Sequence, residues 1–277
     1  MKLSPTEMRN ERTMNISSAD TATMLKLIND ENRRSVEAVD AAIPQIAKAV
    51  DAVVNAFNNG GRLVYVGAGT SGRLATADAA ECPPTFGVDY NTVVAIMAGG
   101  EAALTHASEN IEDLGDAGVR DAKAKNVTSL DVVMGVSASG NADYVASVLE
   151  YAKSLGCITI SLSSNEDCRI GRIADIPIFT DTGAEAITGS TRMKAGNAQK
   201  MVMNMISTSA MVKTGKVYEN LMINLRPTNI KLRARMIRIT EDILGVDATE
   251  AEALLEEAAF SIPRAIELKK EKDNGRN

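Results

Sequence analysis

Five short apolar runs, each followed by glycine or hydroxyl residues, constrain this chain more than any other feature. They are Arg62–Gly67, Thr92–Met97, Asp131–Ser137, Cys157–Leu162 and Ile176–Phe179. Runs of this length that are apolar throughout, rather than alternating, suit strands buried on both faces. The intervening segments carry a helical period; Tyr144–Leu155, with Gly156 behind it, is the clearest. Strands that alternate with helices predict an α/β fold: a doubly wound, mainly parallel five-stranded sheet. Pro177 cannot donate to a ladder from its nitrogen, which puts the fifth run at a sheet edge.

The flanks are helical. Ala19–Asn59 carries an apolar stripe through Met24, Leu25, Leu27 and Ile28 and again through Ile46, Val50, Val53, Val54 and Phe57. Pro44 stands between the two halves, and its ring and missing N–H predict two helices rather than one. Thr191–Tyr218 reads as helix, and after the turn at Arg226–Asn229 the pattern predicts a small helical appendage with an N-cap at Asp247 or Thr249. The expected division is 1–60 for a leader and N-terminal helices, 61–225 for the α/β domain and 226–277 for the appendage. A chain of 277 residues buries enough surface to fold without a disulfide or a metal.

Composition removes several classes of function. With 30 Lys+Arg against 36 Asp+Glu the formal charge is −6, which argues against nucleic-acid and anionic-membrane partners. There is one histidine, His106, so two-histidine zinc sites and facial triads are excluded. Any acid–base chemistry must come from carboxylates, hydroxyls, amines or backbone. The three cysteines, Cys82, Cys157 and Cys168, form no CxxC pair, and the polar start MKLSPTEMRN lacks an apolar signal core. No apolar run reaches the roughly 18 residues needed to span a bilayer. These features predict a cytoplasmic protein.

Gly67-Ala68-Gly69-Thr70-Ser71-Gly72 matches GxGxxG between a strand and a helix. A dinucleotide reading ranks second, because the acidic residue expected about 20 positions on, at the end of the next strand, is missing. The repetition at successive strand ends says more. Thr70-Ser71 follows the first strand, Ser137-Ala138-Ser139-Gly140 the third and Ser161 with Ser163-Ser164 the fourth; Gly189-Ser190-Thr191-Arg192-Met193-Lys194 opens a later helix. Each loop alone reads as a helix cap. Together, at the carboxyl ends of parallel strands, they favour a small phosphorylated ligand.

GAGTSGR at Gly67–Arg73, ECPPTFG at Glu81–Gly87 and ITGSTRMKAG at Ile187–Gly196 together resemble the N-acetylmuramic acid 6-phosphate etherases. LINDEN at Leu27–Asn32, the stretch Met203–Met222 and TNIKLRAR at Thr228–Arg235 extend the similarity over nearly the whole chain. The resemblance implies the sugar isomerase (SIS) fold, kinship with the glucokinase regulatory protein, a homodimer, and cleavage of a D-lactyl ether from a phosphorylated amino sugar without metal or organic cofactor. It implies Glu81 as the acid that protonates the departing lactate. For that job a carboxyl that stays protonated is needed, and Cys82, Pro83, Pro84 and Phe86 are expected to supply an apolar setting. The base falls in the block Glu109-Asn110-Ile111-Glu112-Asp113, on Glu112. Gly69, Thr70, Ser71, Ser137, Ser139, Ser190, Thr191 and Lys194 are the expected phosphosugar contacts, with Arg192 a further cation nearby.

The chain departs from the family pattern at Ala80, at Asn110, Ile111 and Leu114, and at Asn141-Ala142-Asp143. Asp143 is expected to add an acid beside the sugar pocket. A non-catalytic sugar-phosphate sensor and an aldose–ketose phosphosugar isomerase are the alternative readings. Both glutamates being present favours the etherase over the sensor, and the ECPPTFG block favours it over the isomerase.

Overall fold

The computed structural model describes residues 3–106, 111–227 and 229–274. It divides into two compact units, Met1–Ala80 with Asn91–Ala210, and Glu81–Tyr90 with Met211–Asn277. After three short 3-10 turns (Pro5–Glu7, Glu11–Thr13, Ile16–Ser18) the elements are α1 (Thr21–Asn58), β1 (Leu63–Gly67), α2 (Gly69–Phe86), β2 (Val93–Met97), α3 (Ala102–Thr105) and α4 (Gly115–Ala124). There follow β3 (Val132–Val136), α5 (Asp143–Ser154), β4 (Ile158–Ser163), α6 (Arg169–Ile173), β5 (Ile176–Phe179) and α7 (Lys194–Lys213). The chain continues through β6 (Val217–Tyr218), β7 (Leu221–Met222), α8 (Ile230–Leu244), α9 (Ala248–Glu257) and α10 (Ile262–Asn274).

All five strands of the first unit pair in parallel in the order β2-β1-β3-β4-β5, each beginning and ending within one residue of the run read from sequence. Pro177 lies on the edge strand β5, as its missing donor requires. Alternate residues serve the two faces. Val64, Val66 and Val133 pack with Val145, Val148, Leu149 and Ala152 of α5. Gly135 of β3 leaves the room for that helix, since a Cβ there would stand 2.7 Å from Val145 and 2.8 Å from Leu149. On the other face α1 lies against β1, β3 and β5. Tyr65 is fully buried and donates its hydroxyl to Asp78 at 2.8 Å.

The break expected at Pro44 does not occur: α1 runs through it unbroken for 38 residues. Pro44 and Asp40, the residue whose carbonyl loses its donor, are both exposed, so water can satisfy that carbonyl. Ala38, Val39, Ala42, Ile46, Ala49, Val50 and Val53 meanwhile bury the opposite face on both sides of the proline. The helix expected over Thr191–Tyr218 is shorter. It starts at Lys194 and stops before Gly215, whose φ of +74° reverses the chain, and Val217–Tyr218 pairs antiparallel with Leu221–Met222.

In the second unit Met236, Ile239, Leu254, Leu255, Ile262 and Ala265 form a small core with Ile223 and Leu225. Asn229 caps α8 by accepting from the Leu232 N–H, Gly245 ends it at φ +65°, and Asp247, one of the two expected caps, starts α9. The ECPPTFG block belongs to this unit. Asn224 donates to the Phe86 carbonyl at 2.7 Å, and Gly87 has φ +64° with no room for a Cβ, which would fall 1.7 Å from the Asn224 oxygen.

Candidate functional site

In an open parallel sheet a ligand crevice forms where the strand order reverses, outside the carboxyl ends of the strands. Here that point lies between β1, which turns toward β2, and β3, which leads to β4 and β5. A cavity of about 250 Å³ occupies it, lined by Ala68, Gly69, Thr70 and Ser71 after β1 and by Val136, Ser137, Ala138, Ser139 and Ala142 after β3. Gly189 and Thr191, Glu112, and Glu7 from the leader complete the lining. A larger groove of about 650 Å³ runs beside β2 and α4, but its walls of Ile96, Leu104, Ile111 and Leu114 hold none of these hydroxyl loops.

Local chemistry explains each wall. The GxGxxG glycines make the strand-to-helix turn itself: a Cβ on Gly67 would sit 2.7 Å from the Gly72 nitrogen, and one on Gly72 would sit 2.7 Å from the Gly67 oxygen. The turn sets Thr70 and Ser71 in the first turn of α2, where N–H groups and the macrodipole favour an anion. Ser71 donates its hydroxyl to the buried Gln199 of α7 at 2.9 Å. The loop after β3 is a tight turn in which Gly140 donates its N–H to Ser137 Oγ at 3.1 Å and Asn141 donates to Ser139 Oγ at 3.2 Å. Glu112 is pinned through its carbonyl, which accepts from the Tyr144 N–H of α5 at 2.9 Å.

Of the residues expected from sequence, Gly69, Thr70, Ser71, Glu112, Ser137, Ser139 and Thr191 line this cavity. Ser190 lies between two lining residues without being one of them. Lys194 is elsewhere. It is 1% exposed, its ammonium donates to Glu31 and to the Ala184 carbonyl, both at 2.5 Å, and its backbone N–H donates to Glu185 at 3.0 Å. Burial opposes the charge on Glu31, but hydrogen bonds from Arg12 and Lys194 outweigh it and hold that carboxyl at about 2. Burial pushes Glu185 above the ordinary carboxylate range, against the N–H groups of Ala195 and Lys194 that favour its charge. Lys194 is thus the anchor of α7 rather than a phosphate contact of the cavity. Arg192 is exposed.

Three other expectations change. Ser161, Ser163 and Ser164 are buried, with Ser163 donating to the Asn165 carbonyl at 3.0 Å, so the loop after β4 supports the site from beneath. Asp143 pairs with Arg169 and faces a separate surface hollow with Gly115 and Ser147, so it adds no acid to the sugar pocket. Glu81 is carried by the second unit and is exposed, while Cys82, Pro83 and Phe86 turn to the interior and leave its carboxyl unenclosed. Asn110 lies outside the described residues. Sequence reading missed Glu7, which had the look of an exposed residue in a polar leader. Thr6 and Asn10 on either side of it are buried, but by partners distant in sequence, so no local signal marked it.

Among the described residues no group of three or more His, Cys, Asp or Glu is arranged to hold a metal, and no helix is long and apolar enough to cross a membrane. The strand order and the crevice ringed by hydroxyl loops are those of a doubly wound sugar-phosphate fold, and similarity to known proteins puts it in the SIS class. Residues 45–153 match the N-terminal SIS domain of glucokinase regulatory protein. The fold is shared with the E. coli CFT073 c3406 protein solved in complex with A5P, at a TM-score of 0.53 and 17% identity over 73% of this chain and 97% of that one. The chain is 51% identical over 261 residues to the N-acetylmuramic acid 6-phosphate etherase of Clostridium botulinum (strain Loch Maree / Type A3), covering 94% of this chain and 86% of that protein. It is 49% identical to the enzyme of the same name from Salmonella enteritidis PT4 (strain P125109), over 94% and 88%. The chain belongs to the N-acetylmuramic acid 6-phosphate etherase family.

Proposed function

We propose that this protein cleaves the D-lactyl ether of N-acetylmuramic acid 6-phosphate, releasing N-acetylglucosamine 6-phosphate and D-lactate. The observation that carries the reading is the convergence of Glu112 with the hydroxyl loops of Thr70-Ser71 and Ser137–Ser139 on one cavity. Hydroxyls and N–H groups at the start of α2 suit a phosphate, and a carboxylate across the same cavity suits proton removal from the sugar.

An ether at C3 is unreactive until the neighbouring C2 carries negative charge. In the open-chain aldehyde the C2 proton is α to a carbonyl, and Glu112 takes it. The electron pair forms the C2–C3 double bond as the C3–O bond breaks. Glu81 gives a proton to the departing lactate oxygen, a role supported by the ECPPTFG block. Water then adds its oxygen to C3 and a proton returns to C2, so one water is consumed overall. General acid and base groups each contribute about 10² to 10⁴ in rate to such steps. Pairing of two chains as a homodimer is part of the same proposal, and sedimentation equilibrium at twice the chain mass is its check.

The test is D-lactate release from N-acetylmuramic acid 6-phosphate by the wild-type chain beside Glu112→Gln and Glu81→Gln. Release by wild type that falls at least a hundredfold in both variants is the expected result. Tight binding by wild type without release would support the sensor reading, and proton transfer from C2 to C1 without release would support the isomerase.

A further inference from the structure

We propose that Glu7 is a substrate-binding residue, its carboxylate accepting hydrogen bonds from the hydroxyl and acetamido N–H groups of the phosphosugar. The proposal rests on the reading of the cavity as an amino-sugar phosphate site. Glu7 lines that cavity together with Glu112, Thr70, Ser137 and Thr191.

The leader is fastened on both sides of Glu7. Asn165 donates to the Thr6 hydroxyl at 3.2 Å and to the Ser139 carbonyl at 3.1 Å, which ties the leader to the loop after β3. Asn10 donates to the Ala184 carbonyl at 3.0 Å and Thr13 to the Ala186 carbonyl at 2.9 Å. Arg12 grips Glu31 with two nitrogens, at 2.5 and 3.0 Å, and Glu31 also holds Lys194. The leader is therefore bonded to the segment that brings Gly189 and Thr191 to the cavity. These docking bonds fall on the side chains of Thr6, Asn10, Arg12 and Thr13, and Glu7 stays exposed. At Gly189, with φ +77°, the backbone comes so near that a Cβ would stand 3.5 Å from Glu7 Oε2.

A carboxylate only accepts hydrogen bonds, and beside a phosphate dianion it is repulsive. Its place on the cavity wall therefore selects the part of the ligand that donates: a sugar hydroxyl or the acetamido N–H. A charged acceptor lost from such a pair weakens binding about tenfold to a hundredfold.

The experiment uses the full chain and Glu7→Gln, with Glu7→Asp as the second variant, which keeps the charge but shortens the reach. Dissociation constants are measured for N-acetylglucosamine 6-phosphate and for inorganic phosphate, with melting midpoints alongside and lactate release on the same samples. The expected result is sugar-phosphate binding at least tenfold weaker in both variants, inorganic phosphate bound as well or better in Glu7→Gln, and an unchanged midpoint. Sugar-phosphate affinity equal to wild type overturns the proposal, and so does an equal loss for both ligands, which would make Glu7 a part of leader docking. A wild-type chain that binds the sugar phosphate but releases no lactate sinks the etherase reading, while the two affinities still decide the role of Glu7.

Discussion

Lys194 donates its ammonium to Glu31 at 2.5 Å with both side chains almost fully buried, joining the first turn of α7 to the N-terminal third of α1. Arg12 reaches the same carboxylate from the leader, so one glutamate ties together three segments around the cavity.

Glu31→Gln leaves the Lys194 charge buried with its main partner gone. Breaking a buried pair in this way costs about 3–5 kcal/mol, which a denaturant titration will read directly. The pH dependence has a definite sign. The folded carboxyl titrates at about 2, below its usual 4.5, so the stabilisation is complete above that range and is lost as pH falls from 4.5 toward 2. Wild-type stability should decline across that window, and Glu31→Gln should decline less. Equal acid sensitivity in the two proteins would contradict the pairing.

Gly140 closes the Ser137–Ser139 loop at φ +70°, and a Cβ on it would lie 2.4 Å from Cys168 Sγ. Gly140→Ala therefore combines left-handed strain with overpacking, each of about 1–3 kcal/mol. Gly60, at φ +78° with open space around it, supplies the control for strain alone. The expected outcome in unfolding titrations is a clearly larger loss for Gly140→Ala than for Gly60→Ala, with weakened sugar-phosphate binding only in the former.

The parallel sheet was legible because its code is local: runs such as Leu63–Val66 are apolar at every position, and Pro177 marks its own edge. Thr70 and Ser137 were legible because strand ends in such a sheet converge by topology, whereas Glu112, which follows no strand, was expected from the family resemblance alone. What misled were residues whose role depends on a distant partner. Lys194 reads as a free cation until Glu31, far away in sequence, is seen to neutralise it. Pro44 reads as a break until the packed face of α1 is seen to hold the helix across it. Glu7 reads as part of a solvated tail because nothing near it in sequence reveals that Ala184 and Ala186 wait to bind its neighbours.

Cys82, Cys157 and Cys168 are each at most 3% exposed, and burial together with the nearby Asp131 carboxylate pushes the Cys157 thiol up to about 11. All three are closed off from a reagent, and the thiolate is the reactive form. At pH 8 the native protein should therefore react with a thiol reagent at least a hundredfold more slowly than the denatured protein, in which all three are exposed. Rapid labelling of any one in the native state would mean that its core opens readily.

Glu112 and Glu81 should fail in different ways if one takes the C2 proton and the other serves the leaving group. In deuterated water, Glu112→Gln loses both lactate release and exchange of the C2 hydrogen, because no carbanion forms. Glu81→Gln still allows Glu112 to remove and return the C2 proton, so exchange of deuterium into the substrate continues while the C3–O bond stays intact. Mass spectrometry of recovered N-acetylmuramic acid 6-phosphate reads the difference as a gain of one mass unit. Exchange that persists in Glu112→Gln and vanishes in Glu81→Gln would reverse the two roles. Loss of exchange in both would place the two carboxylates in a single concerted step, with no carbanion long-lived enough to recapture a proton.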